Sequence, residues 1–140
     1  MFLRWISFVA VLIAISGCGS EPAYKGPQRF ALSGKVTLDG APVDGGTISF
    51  LSMAPKANPS GGPISAGTYT VPEERGANAE MYRVEIRWLK PTGEKVKDDD
   101  TGGMIDVVKE VIPAKFNTQT ELKADVKADK TTFNFDLSSK

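Results

Sequence analysis

The residues able to do chemistry in this chain are few and scattered. Cys18 is the single cysteine; Glu73-Glu74 and Asp98-Asp99-Asp100 concentrate carboxylates; Lys115 and Asn117 flank a phenylalanine in Ile112-Pro113-Ala114-Lys115-Phe116-Asn117. A thiol is nucleophilic near neutral pH where a hydroxyl is not, so Cys18 suits covalent modification. Neighbouring carboxylates suit a hard cation such as calcium. The aspartate run, however, lacks the alternating spacing of an EF-hand loop, and its simpler reading is a solvated loop tip. A carboxylate pair could also act as general acid and base, but proximity in sequence does not set the separation that such a pair needs. Lys115 and Asn117 are the candidate binding residues. As scaffold, Asn117 would instead satisfy backbone groups close to it.

Histidine is absent, which excludes His-dependent nucleophile triads, imidazole bases and His metal centres. Zinc or copper would need all-oxygen coordination, so no metal, cofactor or catalytic assembly is expected. Charge is balanced, with 17 basic and 17 acidic residues in the whole chain. No basic block or aromatic-basic interleaving marks a nucleic-acid partner.

Cys18 sits at the end of a recognisable order of residues. Met1 and Arg4 give a positive start, Trp5 to Ile15 is an apolar run broken only by Ser7, and Ser16 and Gly17 are small. That order predicts a secretory signal over residues 1–17. Eleven helical residues reach about 16 Å, roughly half of a bilayer's hydrocarbon core, which is too short for a permanent span. Ile15-Ser16-Gly17-Cys18 resembles a bacterial lipobox, and the resemblance implies that the thiol takes a diacylglyceryl group and becomes the first residue after cleavage. Several acyl chains then anchor the protein at about 0.8 kcal/mol per buried CH₂. Gly19 rather than aspartate follows the cysteine; by the same resemblance an outer-membrane location is favoured, facing the periplasm or the cell surface. Residues 18–28 read as the acylated cysteine and a flexible tether, and residues 29–140 as one domain. With the cysteine acylated, no disulfide remains and the core alone must hold the fold.

The domain alternates with period two. Phe30, Leu32, Val36 and Leu38 share parity, with Gly34 as a gap; Ile48 and Phe50 follow the turn signals Asp39-Gly40 and Asp44-Gly45-Gly46; Tyr69 and Val71 alternate briefly. Tyr82, Val84, Ile86 and Trp88 point one way while Arg83, Glu85 and Arg87 point the other. Leu122, Ala124 and Val126, then Phe133, Phe135 and Leu137, complete the pattern. About seven one-sided strands predict an all-β protein, an antiparallel β-sandwich, with a barrel as the alternative. Met53–Gly62 and Pro91–Gly103 read as long loops, and Asp106–Val111 as either a short helix or a strand. Trp88 and Tyr82 belong to the core on this reading, which leaves few aromatics for a sugar platform.

Ser33-Gly34-Lys35-Val36-Thr37-Leu38-Asp39-Gly40-Ala41-Pro42-Val43 resembles the first hairpin of transthyretin-like, or carboxypeptidase regulatory-like, domains. Ala66-Gly67-Thr68-Tyr69-Thr70-Val71 is similar to their central glycine-aromatic strand. The Ile112–Asn117 segment, with the closing Phe133-Asn134-Phe135-Asp136-Leu137, resembles the end of small exported planctomycete lipoproteins. The resemblance implies a prealbumin-like Greek-key sandwich without catalytic residues. It also implies an envelope protein of structural or interaction type, anchored through its N-terminal lipid and engaging a protein or glycan partner. A carbohydrate-binding or calcium-assisted adhesion module is the alternative.

Overall fold

The computed structural model describes residues 24–55 and 58–140; the signal segment and Cys18 lie outside them. The protein is an all-β antiparallel sandwich built by curling one sheet over itself. Its strands are β1 (Leu32–Leu38), β2 (Ala41–Pro42), β3 (Thr47–Ser52), β4 (Ser60–Ser65), β5 (Thr68–Val71), β6 (Met81–Arg87), β7 (Leu89–Lys97), β8 (Met104–Glu110), β9 (Lys123–Asp125) and β10 (Phe135–Leu137). Hydrogen bonding runs in the order β10-β1-β5-β4-β3-β6-β9, with β2 on β1, while β7 and β8 form a separate pair. All pairings are antiparallel except β1 with β10, where Val36 faces Phe135. A parallel neighbour requires a crossover, and the segment between β9 and β10 supplies it.

β4 makes the corner. Its first residues, Ser60 to Pro63, pair with β3, and its last two, Ile64 and Ser65, pair with β5. A strand that changes partner midway passes from one layer to the other, and Gly61-Gly62-Pro63 provides the bend. The layers then meet through aromatic rings. Phe50 of β3 lies 5.9 Å from Tyr69 of β5, 6.4 Å from Tyr82 of β6 and 6.4 Å from Phe133. Leu32, Val36, Ile48, Val84, Ile86 and Val126 close the core around them.

The gap in the alternation of β1 has a steric cause. A Cβ at Gly34 would lie 1.8 Å from the Phe133 carbonyl oxygen, where the C-terminal segment crosses β1. That crossing is tied down by the Phe133 amide donating to Ser33 O at 2.9 Å and by Tyr69 Oη donating to Phe133 O at 2.8 Å. Gly46 serves the turn before β3. Its φ of +92° and the 2.0 Å that would separate a Cβ from Arg87 O leave room only for glycine.

Both expected loops contribute strand. Ser60–Gly62 at the end of the first opens β4, and Pro91–Lys97 of the second belongs to β7; with the two-residue β2 these raise the strands from about seven to ten. Asp106–Val111 is no helix; β8 runs through it to Glu110. The helical turns among the described residues are short 3₁₀ segments, Glu73–Arg75 and Ala114–Phe116.

Candidate functional site

The Ile112–Asn117 segment turns the chain from β8 back to the core. Ile112 is buried, Pro113 leads into the 3₁₀ turn Ala114–Phe116, and Phe116 packs against the core. Proline has no amide hydrogen and a fixed φ, so it cannot extend the preceding strand. Asn117 is buried, and its amide is spent inside. Nδ2 donates to Ile112 O at 3.0 Å and Pro113 O at 3.3 Å, and Oδ1 accepts from the Thr118 amide at 2.7 Å. Lys115 points elsewhere. Its Nζ donates to Lys140 O and lies 5.1 Å from the Phe116 ring centroid, at the rim of an open cleft shared with Gln119, Glu121 and Leu122. The two candidate binding side chains therefore do not converge.

The aspartate run forms the tip between β7 and β8. Asp98 Oδ1 accepts from the Asp100 amide at 2.9 Å, and Oδ2 accepts from the Thr101 hydroxyl at 2.8 Å. These bonds, the Asp100 amide first, hold the Asp98 carboxyl below its usual range. One carboxylate thus folds the turn that carries the other two. Among the described residues no group of three or more His, Cys, Asp or Glu is placed to hold a metal ion. Glu73 and Glu74 lie in an exposed 3₁₀ turn with no buried residue.

The hairpin behind that tip is unlike the rest of the molecule. β7 and β8 pair only with each other among the described residues. Leu89, Val96, Met104, Ile105 and Val108 are all exposed along it. Pro91 and a register shift between Pro91 and Lys95 interrupt β7, whereas β8 runs unbroken from Met104 to Glu110. Proline, lysine and bulges blunt a sheet edge against pairing. β7 carries all three; the outer edge of β8 carries no proline or bulge.

Glu110 clamps the root of the hairpin. Its Oε1 accepts from the Trp88 amide at 2.8 Å and the Ile112 amide at 3.0 Å, tying the strand leaving the core to the strand returning to it. Trp88 itself is only half-buried, with Lys90 Nζ 3.7 Å from its ring centroid. Sequence reasoning missed the hairpin because it treated Pro91–Gly103 as a polar loop. The available signal was the alternation Lys95-Val96-Lys97 facing Met104-Ile105-Asp106 across the turn.

The tether reading meets the domain at its last residues. Asn78 Nδ2 donates to Pro27 O and to Gln28 O, both at 2.9 Å, and Phe30 bridges to Ala77. The chain is thus gripped two residues before the domain boundary placed at residue 29. Among the described residues no helix is long and apolar enough to cross a membrane. Compared with family models, with curated proteins and with solved structures, the chain finds no match in any of the three.

Proposed function

We propose that this is a lipid-anchored envelope protein of interaction type, with no catalytic role, whose β7/β8 arm recruits an extended segment of another envelope protein. The observation that carries the reading is the free edge of β8, whose Met104, Ile105 and Val108 are exposed. A two-stranded sheet is marginal by itself in water, and a third strand satisfies its open backbone while covering its apolar side chains. The guarded β7 edge directs that strand to β8. The acidic groups of β8 are already engaged, Asp106 with Lys95 Nζ at 3.3 Å and Glu110 with the Trp88 and Ile112 amides, so the exposed Met104, Ile105 and Val108 set the complement. A partner strand that alternates apolar with polar side chains fits this edge. The lipobox-like run ending at Cys18 supports the membrane address, and the hairpin and closing motifs support a transthyretin-like lipoprotein class.

The arm is tested with a photo-crosslinking residue at Met104 in cells that make the full chain natively. The expected product is a single adduct, mapped to one extended segment of the partner and lost in the Ile105→Asp/Val108→Asp double variant. A crosslink to a second copy of the chain, or an adduct that survives the double variant, overturns it. The address is tested separately by radiolabelled palmitate, which should label the wild type and not Cys18→Ser; equal labelling overturns the anchor.

A further inference from the structure

The arginines of this chain are Arg4, Arg29, Arg75, Arg83 and Arg87, whereas lysines continue to Lys140. The fold turns this uneven use into a surface feature. On β6, Arg83 and Arg87 project from the face opposite to buried Tyr82, Val84 and Ile86. Across the sheet Leu51 stands opposite Arg83, Thr47 opposite Arg87, and Ser49 opposite Glu85. On its other side Ser49 faces Gly61 of β4. Beside these residues a recess of about 310 Å³ opens on the outer face, lined by Arg29, Arg75, Ser49, Leu51, Ser60 and Gly61 among others.

The recess is held by contacts that fix its walls and leave donors unused. Gly61 puts bare backbone in the floor, where a Cβ would come within 2.4 Å of Ile48 O. Ser60 Oγ donates to Arg75 O at 2.8 Å, which fastens the Arg75 backbone to the corner strand. Arg29 is positioned by two contacts: its guanidinium carbon lies 3.9 Å from the Tyr24 ring centroid, and Nη1 donates to Glu74 O. Its Nε is nevertheless buried without a hydrogen-bond partner. A buried donor left unpaired is costly unless something outside the chain meets it.

Glu73 and Glu74 precede Arg75 in the same exposed turn, but neither carboxylate closes on the pair as a salt bridge. Neither Arg29 nor Arg75 forms an ion pair among the described residues, and Glu85, the acidic group on the adjoining strand, is taken by Arg83 at 3.1 Å and Arg87 at 3.2 Å. We propose that this recess binds an oxyanion, a carboxylate, sulfate or phosphate group, between the guanidinium groups of Arg29 and Arg75. Arginine's planar fork matches such oxygens two at a time, and the Ser49 hydroxyl lies in the same recess as a further donor. The site is on the sandwich face, independent of the β7/β8 arm.

The test is a titration of the full-length protein in a non-ionic detergent, following the arginine Nε–H cross-peaks by NMR. Inorganic phosphate, sulfate and acetate are added in turn, with sodium chloride at matched ionic strength as the reference. The Arg29 and Arg75 peaks should move saturably with at least one oxyanion and not with chloride. Arg75→Gln, on an exposed residue, should weaken that response about tenfold, whereas Arg87→Gln should leave it unchanged. A preference for phosphate points to phosphate esters, and a preference for sulfate or acetate to acidic glycans. Equal movement of all described arginine peaks with chloride, or an unchanged response in Arg75→Gln, overturns the proposal.

Discussion

β6 and β8 are seven-residue strands of similar β-branched and apolar content, and they meet opposite fates. In β6, Tyr82, Val84 and Ile86 are 0 % exposed; in β8, Met104 is 62 % exposed and Ile105 and Val108 are each 49 % exposed. The difference lies in what stands across from each strand. β6 sits between β3 and β9 under the other layer of the curled sheet, while β8 has β7 and nothing beyond it among the described residues. β-propensity describes how well a side chain fits a pleated, half-buried surface. A strand can therefore form on pairing alone, but it contributes hydrophobic stability only where a second layer removes water from its side chains. The sandwich is held by its core, and the arm by its backbone ladder.

The comparison breaks first at Phe50, the ring that joins both layers. Phe50→Ala should lower stability by about 3–5 kcal/mol, because it removes buried aromatic surface and leaves a cavity between Tyr69, Tyr82 and Phe133. Equilibrium unfolding in urea measures it. A loss below about 1 kcal/mol would mean that the layers close without this contact. Glu110 is the next point, since it joins the arm to the sandwich. Glu110→Ala strips the Trp88 and Ile112 amides of their acceptor and should lower stability by about 1–3 kcal/mol. Amide hydrogen exchange should accelerate in β7 and β8 more than in β3 and β6. Glu110→Gln keeps an acceptor oxygen and should recover part of both effects.

Alkaline pH probes the sandwich through its buried tyrosines, of which the arm contains none. Burial pushes the Tyr69 phenol far above its ordinary value of 10.0, and burial raises Tyr82 as well. A raised folded-state pKa means that the folded protein keeps its proton while the unfolded chain releases it. The contribution is complete below pH 10 and declines above it, by up to about 1.4 kcal/mol per pH unit for each such tyrosine. Tyr69→Phe should flatten that decline, at a cost near neutral pH of about 1 kcal/mol for the unpaired Phe133 carbonyl. Unfolding midpoints measured from pH 8 to pH 12 check both parts.

What could be read in advance follows the same division. Strands with one buried face announce themselves by alternation, so β1, β3, β6 and β10 and the two-layer class were legible. Gly34 appeared as a gap in a strand and proved to be the place where the C-terminal segment crosses. β4 was hidden because Ser60-Gly61-Gly62-Pro63 has no apolar alternation; it is a strand by backbone pairing at a corner. β7 was hidden because neither of its faces is buried, which removes the pattern that marks a strand. The candidate site was less legible still. Lys115 and Asn117 are two apart in sequence, yet a 3₁₀ turn sends one to the surface and the other inward. The Arg29–Arg75 recess joins residues 46 positions apart, through a corner that no local pattern specifies.

The smallest expected effect sharpens the comparison most. Val96 and Ile105 face each other across the arm, each about half exposed, and Thr at either position keeps a β-branched shape while replacing a methyl group of Val, or the ethyl group of Ile, by a hydroxyl. Val96→Thr and Ile105→Thr should each change stability by no more than about 0.5 kcal/mol, since exposed substitutions that leave the ladder intact touch little else. The parallel changes on β6, Val84→Thr and Ile86→Thr, place a hydroxyl among buried apolar groups and should cost about 1–3 kcal/mol each. The two pairs are matched in chemistry and differ only in what covers them. An Ile105→Thr loss equal to that of Ile86→Thr, in the isolated protein at low concentration, would show that the arm's apolar face is already covered. A loss of that size appearing only as concentration rises would place a second copy of the chain on it. A near-zero loss at every concentration is the result required if β8 is kept open for a different protein.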